Sequence, residues 1–245
     1  IDAGELETVK LLLTQLGKTK FYKKIKPTPF DEAVSLIWYL ENVFYHSAST
    51  IYTYIKRHIF NKAALDNSIF DFGFWPGGDR DGNPYVTPEI TLKTAESLKF
   101  SVLRNYFREI RKMKRSLTFN GLEERLDALE SDLYATLFSK KKPDYFNIEY
   151  FEKALDEIYQ IIVNQTDGLY ESLILDLKHK VKIFGFHFAS LDIRQDSRIH
   201  KQVFDEILSH PQIRKYLKGL PENFDELDSA SRHKVLTTLK GDVPS

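Results

Sequence analysis

Two short segments hold most of the residues able to do chemistry in this chain. The first is Gly77-Gly78-Asp79-Arg80-Asp81-Gly82-Asn83-Pro84, preceded by Trp75-Pro76. Its three glycines relieve steric limits on the backbone, and the flanking prolines restrict how the chain enters and leaves. Asp79, Arg80, Asp81 and Asn83 are packed into that frame. In an ordinary turn such aspartates hydrogen-bond nearby amides. Here the polar groups are dense and follow an aromatic stretch, which favours a binding or orienting role. The second segment is Phe184-Gly185-Phe186-His187-Phe188-Ala189-Ser190-Leu191-Asp192-Ile193-Arg194-Gln195-Asp196-Ser197. It reads as a buried strand ending in a polar cluster, with Arg194 where strand gives way to helix. A buried guanidinium cannot shed its proton and so needs an anionic partner. Two readings weigh evenly: an ion pair with Asp192, Asp196 or a loop aspartate, or a fork that grips a phosphate or carboxylate.

The elements that must position these segments are mostly helical. Leu6, Val9, Leu12, Leu13 and Leu16 form one stripe over Glu5 to Leu16, with Gly17 as the stop. Thr28 can cap a helix that takes Pro29 at its first position and Asp31 and Glu32 in its first turn. That helix is expected to reach about His58, with Ser47 and Ser49 as sites for a bend. Its aromatic residues between Trp38 and Tyr54 are expected in the core, save for any face that missing segments would cover. Ile69 to Trp75 reads as a strand. Thr87-Pro88-Glu89 opens a helix to about Arg115. Further helices are expected at Leu122 to Phe138, Ile148 to Asn164, Gly168 to Lys182 and from Ser197, then weaker helix past Pro211 with loops near Pro221 and Gly241. Phe184 to Ile193 is the second strand. The prediction is one mainly α unit over residues 1–245, with two short strands that pair inside a helical shell or belong to a larger sheet.

Composition narrows the classes. Lys plus Arg and Asp plus Glu are 35 each, so the net charge is zero and bulk electrostatics call for neither nucleic acid nor an anionic membrane. With no Cys there is no disulfide, thiolate metal site or Cys nucleophile. No apolar run approaches the roughly 18 residues of a membrane span, so a soluble, intracellular protein is expected. The chain begins at Ile1 without Met and stops at Gly241-Asp242-Val243-Pro244-Ser245, and both ends are expected to have been cut from something larger. Arg104, Arg108, Arg111 and Arg115 make a basic stripe, beside Lys112 and Lys114. Against a nucleic-acid or phosphate-effector surface, the expected reading is a solvated face or one paired with acidic neighbours in a full-length parent, and Lys140 to Lys142 reads as an exposed loop. None of the seven histidines has metal-site spacing to another ligand, and His187 is expected as a hydrogen-bonded core residue in its strand.

Taken together, the two segments resemble phosphoenolpyruvate carboxylases. Gly77 to Pro84 followed by Val86-Thr87 is similar to the family signature Gly-Gly-Asp-Arg-Asp-Gly-Asn-Pro. Leu191-Asp192-Ile193-Arg194-Gln195-Asp196-Ser197 is similar to Leu-Asp-Ile-Arg-Gln-Glu-Ser, in the family's order. The resemblance runs from about Pro27 to His200 and covers a minority of a much longer enzyme. It implies a lyase that adds bicarbonate to phosphoenolpyruvate, giving oxaloacetate and phosphate by way of carboxyphosphate and an enolate. It also implies a need for Mg²⁺ or Mn²⁺, a homotetramer, a cytoplasmic location and an anaplerotic role in carbon dioxide fixation and the tricarboxylic acid cycle. Arg194 would bind phosphoenolpyruvate, with Trp75, Asp79, Arg80, Asp81, Asn83, Asp192 and Gln195 lining or supporting the pocket. The two strands would belong to a (β/α)₈-type barrel, whose sites lie at the C-terminal ends of strands.

The departures are specific. Phe74-Trp75-Pro76 stands where the family has Ser-Trp-Met, Asp196 replaces Glu, and Arg198 follows Ser197 directly, which puts any role for that Arg in doubt. The resemblance places the family's catalytic His upstream of Ile1 and its mobile loop, metal carboxylates and allosteric site beyond Ser245. His210-Pro211 does not match the His motif. No catalytic residue and no bound metal are therefore expected within this chain, which alone should be inactive. The competing expectations are a non-catalytic helical interaction module and another phosphate-binding barrel lyase.

Overall fold

The computed structural model describes residues 3–20, 26–60, 70–81, 83–119, 121–211, 213, 219–221 and 223–238. Ile69, Gly82 and the Gly241 to Ser245 stretch named above lie outside them. The elements are α1 (Ala3–Lys18), α2 (Pro29–Tyr39), a π-turn (Leu40–Phe44), α3 (Tyr45–His58), β1 (Gly73–Phe74), α4 (Pro88–Ser116), α5 (Glu123–Phe138), α6 (Ile148–Gln165), α7 (Glu171–Phe184), β2 (Ser190–Leu191), α8 (Ser197–Ser209), a 3₁₀ turn (Phe224–Glu226) and α9 (Ser229–Thr238). The described chain is mainly α, with two short strands, as the sequence implies.

Local chemistry sets the helix starts. Thr28 Oγ1 accepts from Asp31 N while Asp31 returns a bond to Thr28 N, a reciprocal cap with Pro29 just inside. Thr87 and Asn147 cap α4 and α6 through their side-chain oxygens. The long α4 is the hub. Leu98, Val102, Tyr106, Ile110 and Met113 recur at helical spacing and are buried. They share a core with Leu126, Leu129 and Leu133 of α5, Phe151, Leu155, Ile158 and Ile162 of α6, and Ile174, Leu177 and Val181 of α7.

Four expectations need correcting. First, α1 runs through Gly17 to Lys18, because nothing about Gly17 forces the chain out of helical geometry: it has no positive φ and open space around it. Second, the break between α2 and α3 is the π-turn at Leu40–Phe44, upstream of Ser47 and Ser49, which lie within regular helix. Third, both strands are shorter than expected: only Gly73–Phe74 of the first and Ser190–Leu191 of the second are strand. Helix α7 continues to Phe184, and Gly185 (φ 52°) and Phe188 (φ 67°) then turn the chain. Phe184, Phe186 and Phe188 are buried, while His187 between them is exposed. The alternation that imitates a strand is a turn that drops three rings into the core. His187 is thus neither in a strand nor in the core. Fourth, the aromatic helix is divided: Tyr45 and Tyr52 are buried, but Trp38, Tyr39, Phe44 and Tyr54 are exposed.

The turn after α7 is held by an aromatic cluster. Tyr45 stacks on Phe184 at 5.8 Å and Phe146 on Phe186 at 5.6 Å. The Tyr106 hydroxyl donates to Gly185 O at 2.7 Å, tying α4 to the turn. From that anchored turn the chain emerges as β2.

Candidate functional site

β1 and β2 pair in parallel, Gly73 against Ser190 and Phe74 against Leu191. Ser190 N donates to Phe72 O at 2.7 Å and Asp192 N to Phe74 O at 2.8 Å. Beyond the strands the two segments stay in register. Arg194 N donates to Gly78 O at 3.1 Å and Arg80 N to Arg194 O at 2.9 Å, making a further parallel bridge between Asp79 and Arg194. The two candidate segments, more than a hundred residues apart in sequence, are therefore bonded side by side at the C-terminal ends of parallel strands.

The glycines explain how they come so close. A Cβ on Gly78 would lie 2.1 Å from Asp192 O, so only glycine lets the loop reach the second segment. Gly77 has φ 81°, and a Cβ there would lie 2.3 Å from Thr94 Oγ1 on α4. The first glycine seats the loop on α4, and the second seats it on the segment that follows β2. Gly78 N and Asp79 N both donate to Trp75 O, closing the turn.

Arg194 Nη2 donates to Asp79 Oδ2 at 2.8 Å. The pair does not bury the arginine, whose side chain stays 59% exposed. Of the possible partners, Asp79 takes it. Asp192 is exposed, and Asp196 is held by Arg198. Asp196 caps α8 and accepts from Arg198 Nε and Nη2, which, with its backbone bond to Arg198 N, lowers its pKa. That gives Arg198 a local role. Gln195 Oε1 accepts from Asp196 N. Asn83 Oδ1 accepts from Tyr85 N and shapes the loop exit. Trp75 and Asp81 are exposed. Arg80 turns the other way: its Nη2 donates to Thr91 Oγ1 at 3.1 Å. Asp79 Oδ1, Arg80 Nε and Thr94 Oγ1 are buried without a hydrogen-bond partner. Such groups cost about 1–3 kcal/mol each and mark places where structure yields to another demand.

Thr91 and Thr94 escape a sequence reading, since a threonine one or two turns into a helix carries no motif. So does the destination of the basic stripe. Glu41, buried in the π-turn, accepts from Arg104 Nε and Nη2, Arg108 Nη1 and Ser101 Oγ. Burial raises its pKa, and the Arg104 guanidinium, Ser101 and Arg108 outweigh that, holding it below the usual carboxylate range. Arg111 pairs with Glu130, and Lys114 with Asp127 and Glu130. The acidic partners of the stripe lie within this chain.

Among the described residues, no group of three or more His, Cys, Asp or Glu side chains could hold a metal ion. The described residues therefore offer no ligand set that fits a resident Mg²⁺ or Mn²⁺. Among the same residues no helix is long and apolar enough to cross a membrane.

The arrangement can present one guanidinium to an anion, with its remaining N–H donors open to solvent beside a rigid loop. Comparison with known proteins gives that arrangement a context. A family model described as phosphoenolpyruvate carboxylase matches residues 4–137 and 120–243. Similar relatives carrying that name include one from Nitrosomonas eutropha, 28% identical over 97% of this chain and 30% of the relative. One from Trichormus variabilis is 28% identical over 97% of this chain and 28% of its own length. One from Aeromonas salmonicida is 24% identical over 82% of this chain and 26% of its own. The chain spans less than a third of the length of these curated relatives.

Proposed function

The chain belongs to the phosphoenolpyruvate carboxylase family, and from that premise we propose that it supplies part of the phosphoenolpyruvate pocket of a carboxylating lyase. Bicarbonate attacks the phosphorus, the enolate of pyruvate leaves, and carboxyphosphate breaks down to phosphate and CO₂, which the enolate captures to give oxaloacetate. Every species on that path except CO₂ is anionic, so a fixed guanidinium can stabilise the negative charge that concentrates as each bond forms or breaks.

The observation that carries this reading is the backbone ladder between Gly78, Arg80 and Arg194. It fixes the base of the Arg194 side chain while leaving its end exposed. A single carboxylate oxygen of Asp79 engages it, so other N–H groups stay available for a bidentate grip on phosphate or carboxylate. On this reading Asp79 steers the guanidinium, Asn83 and Gln195 shape the turns on either side, and Trp75, Arg80, Asp81 and Asp192 line or support the pocket. The parallel β1–β2 pair would form two strands of a larger barrel, with the site at its C-terminal rim. On the same reading the full-length enzyme is a cytoplasmic homotetramer that uses Mg²⁺ or Mn²⁺, and its product feeds the tricarboxylic acid cycle.

Malate dehydrogenase coupled to NADH oxidation tests both halves. Full-length protein carrying this chain should form oxaloacetate from phosphoenolpyruvate and bicarbonate, and the purified 245-residue chain should form none. Turnover by the short chain would show that the chemistry is complete within it. No turnover by the full-length protein would remove the carboxylase reading.

A further inference from the structure

The glycine loop is held from two sides, and only one belongs to the pocket. On the far side stands Thr91, buried in the first turns of α4. Its hydroxyl donates to Gly77 O at 2.7 Å, the shorter of two alternatives, the other being Thr87 O of its own helix at 3.2 Å. The same oxygen accepts from Arg80 Nη2 at 3.1 Å. A hydroxyl has one proton to give, and the proton arriving from Arg80 occupies a lone pair and polarises the O–H toward an acceptor. Thr91 thus links both ends of the Gly77–Arg80 tetrapeptide. Within that tetrapeptide lie all three contacts that place Arg194: Gly78 O, Arg80 N and Asp79 Oδ2.

We propose that Thr91 is a positioning residue for anion binding, acting through the Arg80–Thr91–Gly77 bonds to fix the direction of Arg194. The inference rests on the reading that Arg194 grips phosphoenolpyruvate. Thr91 does not touch the substrate. Its hydroxyl stops the loop from rocking on the hinge of Gly77, where φ is 81°, and so keeps Asp79 facing Arg194.

The test is the KM for phosphoenolpyruvate in the full-length enzyme carrying Thr91→Val, Thr91→Ser, Arg194→Gln, and the Thr91→Val and Arg194→Gln pair. Losing the hydroxyl removes both bonds, one of them from the charged Arg80 guanidinium, and should raise KM by about fivefold or more in Thr91→Val. Thr91→Ser, which keeps the hydroxyl, should restore it. The pair should be no worse than Arg194→Gln alone, because the relay has nothing left to aim. If Thr91→Val does not fold, Arg80→Gln, alone and with Arg194→Gln, breaks the same bond and carries the same comparison. A normal KM in Thr91→Val beside a raised one in Arg194→Gln would overturn the relay and spare the pocket. So would effects that multiply in the pair. A normal KM in Arg194→Gln would instead remove the pocket reading itself.

Discussion

At the scale of single residues, glycine positions separate by what surrounds them. Gly78 lies against a backbone carbonyl that cannot move without pulling the second segment away, whereas a Cβ on Gly73 meets nothing within 4 Å. Gly78→Ala should therefore cost about 2 kcal/mol or more in urea unfolding, and Gly73→Ala about 0.5 kcal/mol or less. Equal effects would mean that the close approach is not rigid. His179 offers a pH test. Its Nδ1 lies 3.0 Å from Thr53 Oγ1 and its ring 4.9 Å from that of Tyr52. Burial first, then the nearby Lys56, push its pKa from 6.5 down to about 4. Between those values the unfolded chain holds a proton that the folded chain does not. The stability owed to this group is thus full above pH 6.5, falls as the pH drops and is gone at about 4, a change on the order of 3 kcal/mol. His179→Gln should flatten that part of the stability–pH curve, and an unchanged slope would place the titration elsewhere.

At the scale of elements, helix positions follow from caps and apolar period, and most are legible in the sequence: Thr28 and Thr87 open their helices where the sequence places them. The π-turn is not legible, because residues 40–44 have no composition that distinguishes them from the helices on either side. Its occasion is tertiary. The widened turn carries Glu41, whose buried carboxylate meets Arg104, Arg108 and Ser101 of α4, a long-range demand with no local sign. Glu41→Gln should leave two guanidiniums without a counter-charge. They are partly exposed, so the cost should be about 2 kcal/mol rather than that of a wholly buried break. A change within about 0.5 kcal/mol would show that the pairs are only surface decoration. The false strand before β2 has a similar lesson. Alternate burial of Phe184, Phe186 and Phe188 satisfies a period of two, yet positive φ at Gly185 and Phe188 produces it by turning. Both signature segments could be read in one dimension. Their register, and the hydroxyl of Thr91 behind them, depend on contacts that only folding creates.

At the scale of the whole molecule, α1 is distinctive. Leu6, Val9, Leu12, Leu13 and Leu16 are each about half exposed or more, on a helix whose described side chains all face water. The 245-residue chain should therefore associate as its concentration rises in sedimentation velocity. Replacing Leu12 and Leu13 by Glu should suppress this, and a monomer at all concentrations would show that the stripe is inert. The central claim concerns the site itself, where Arg194 is steered by a loop that only glycines allow. Calorimetric titration of phosphoenolpyruvate into full-length protein, with Arg194 intact or changed to Gln or Lys, tests it most directly. Binding should weaken by about tenfold or more in Arg194→Gln and be only partly recovered by Lys, which has the charge without the planar fork. Equal affinity in all three proteins would contradict the account.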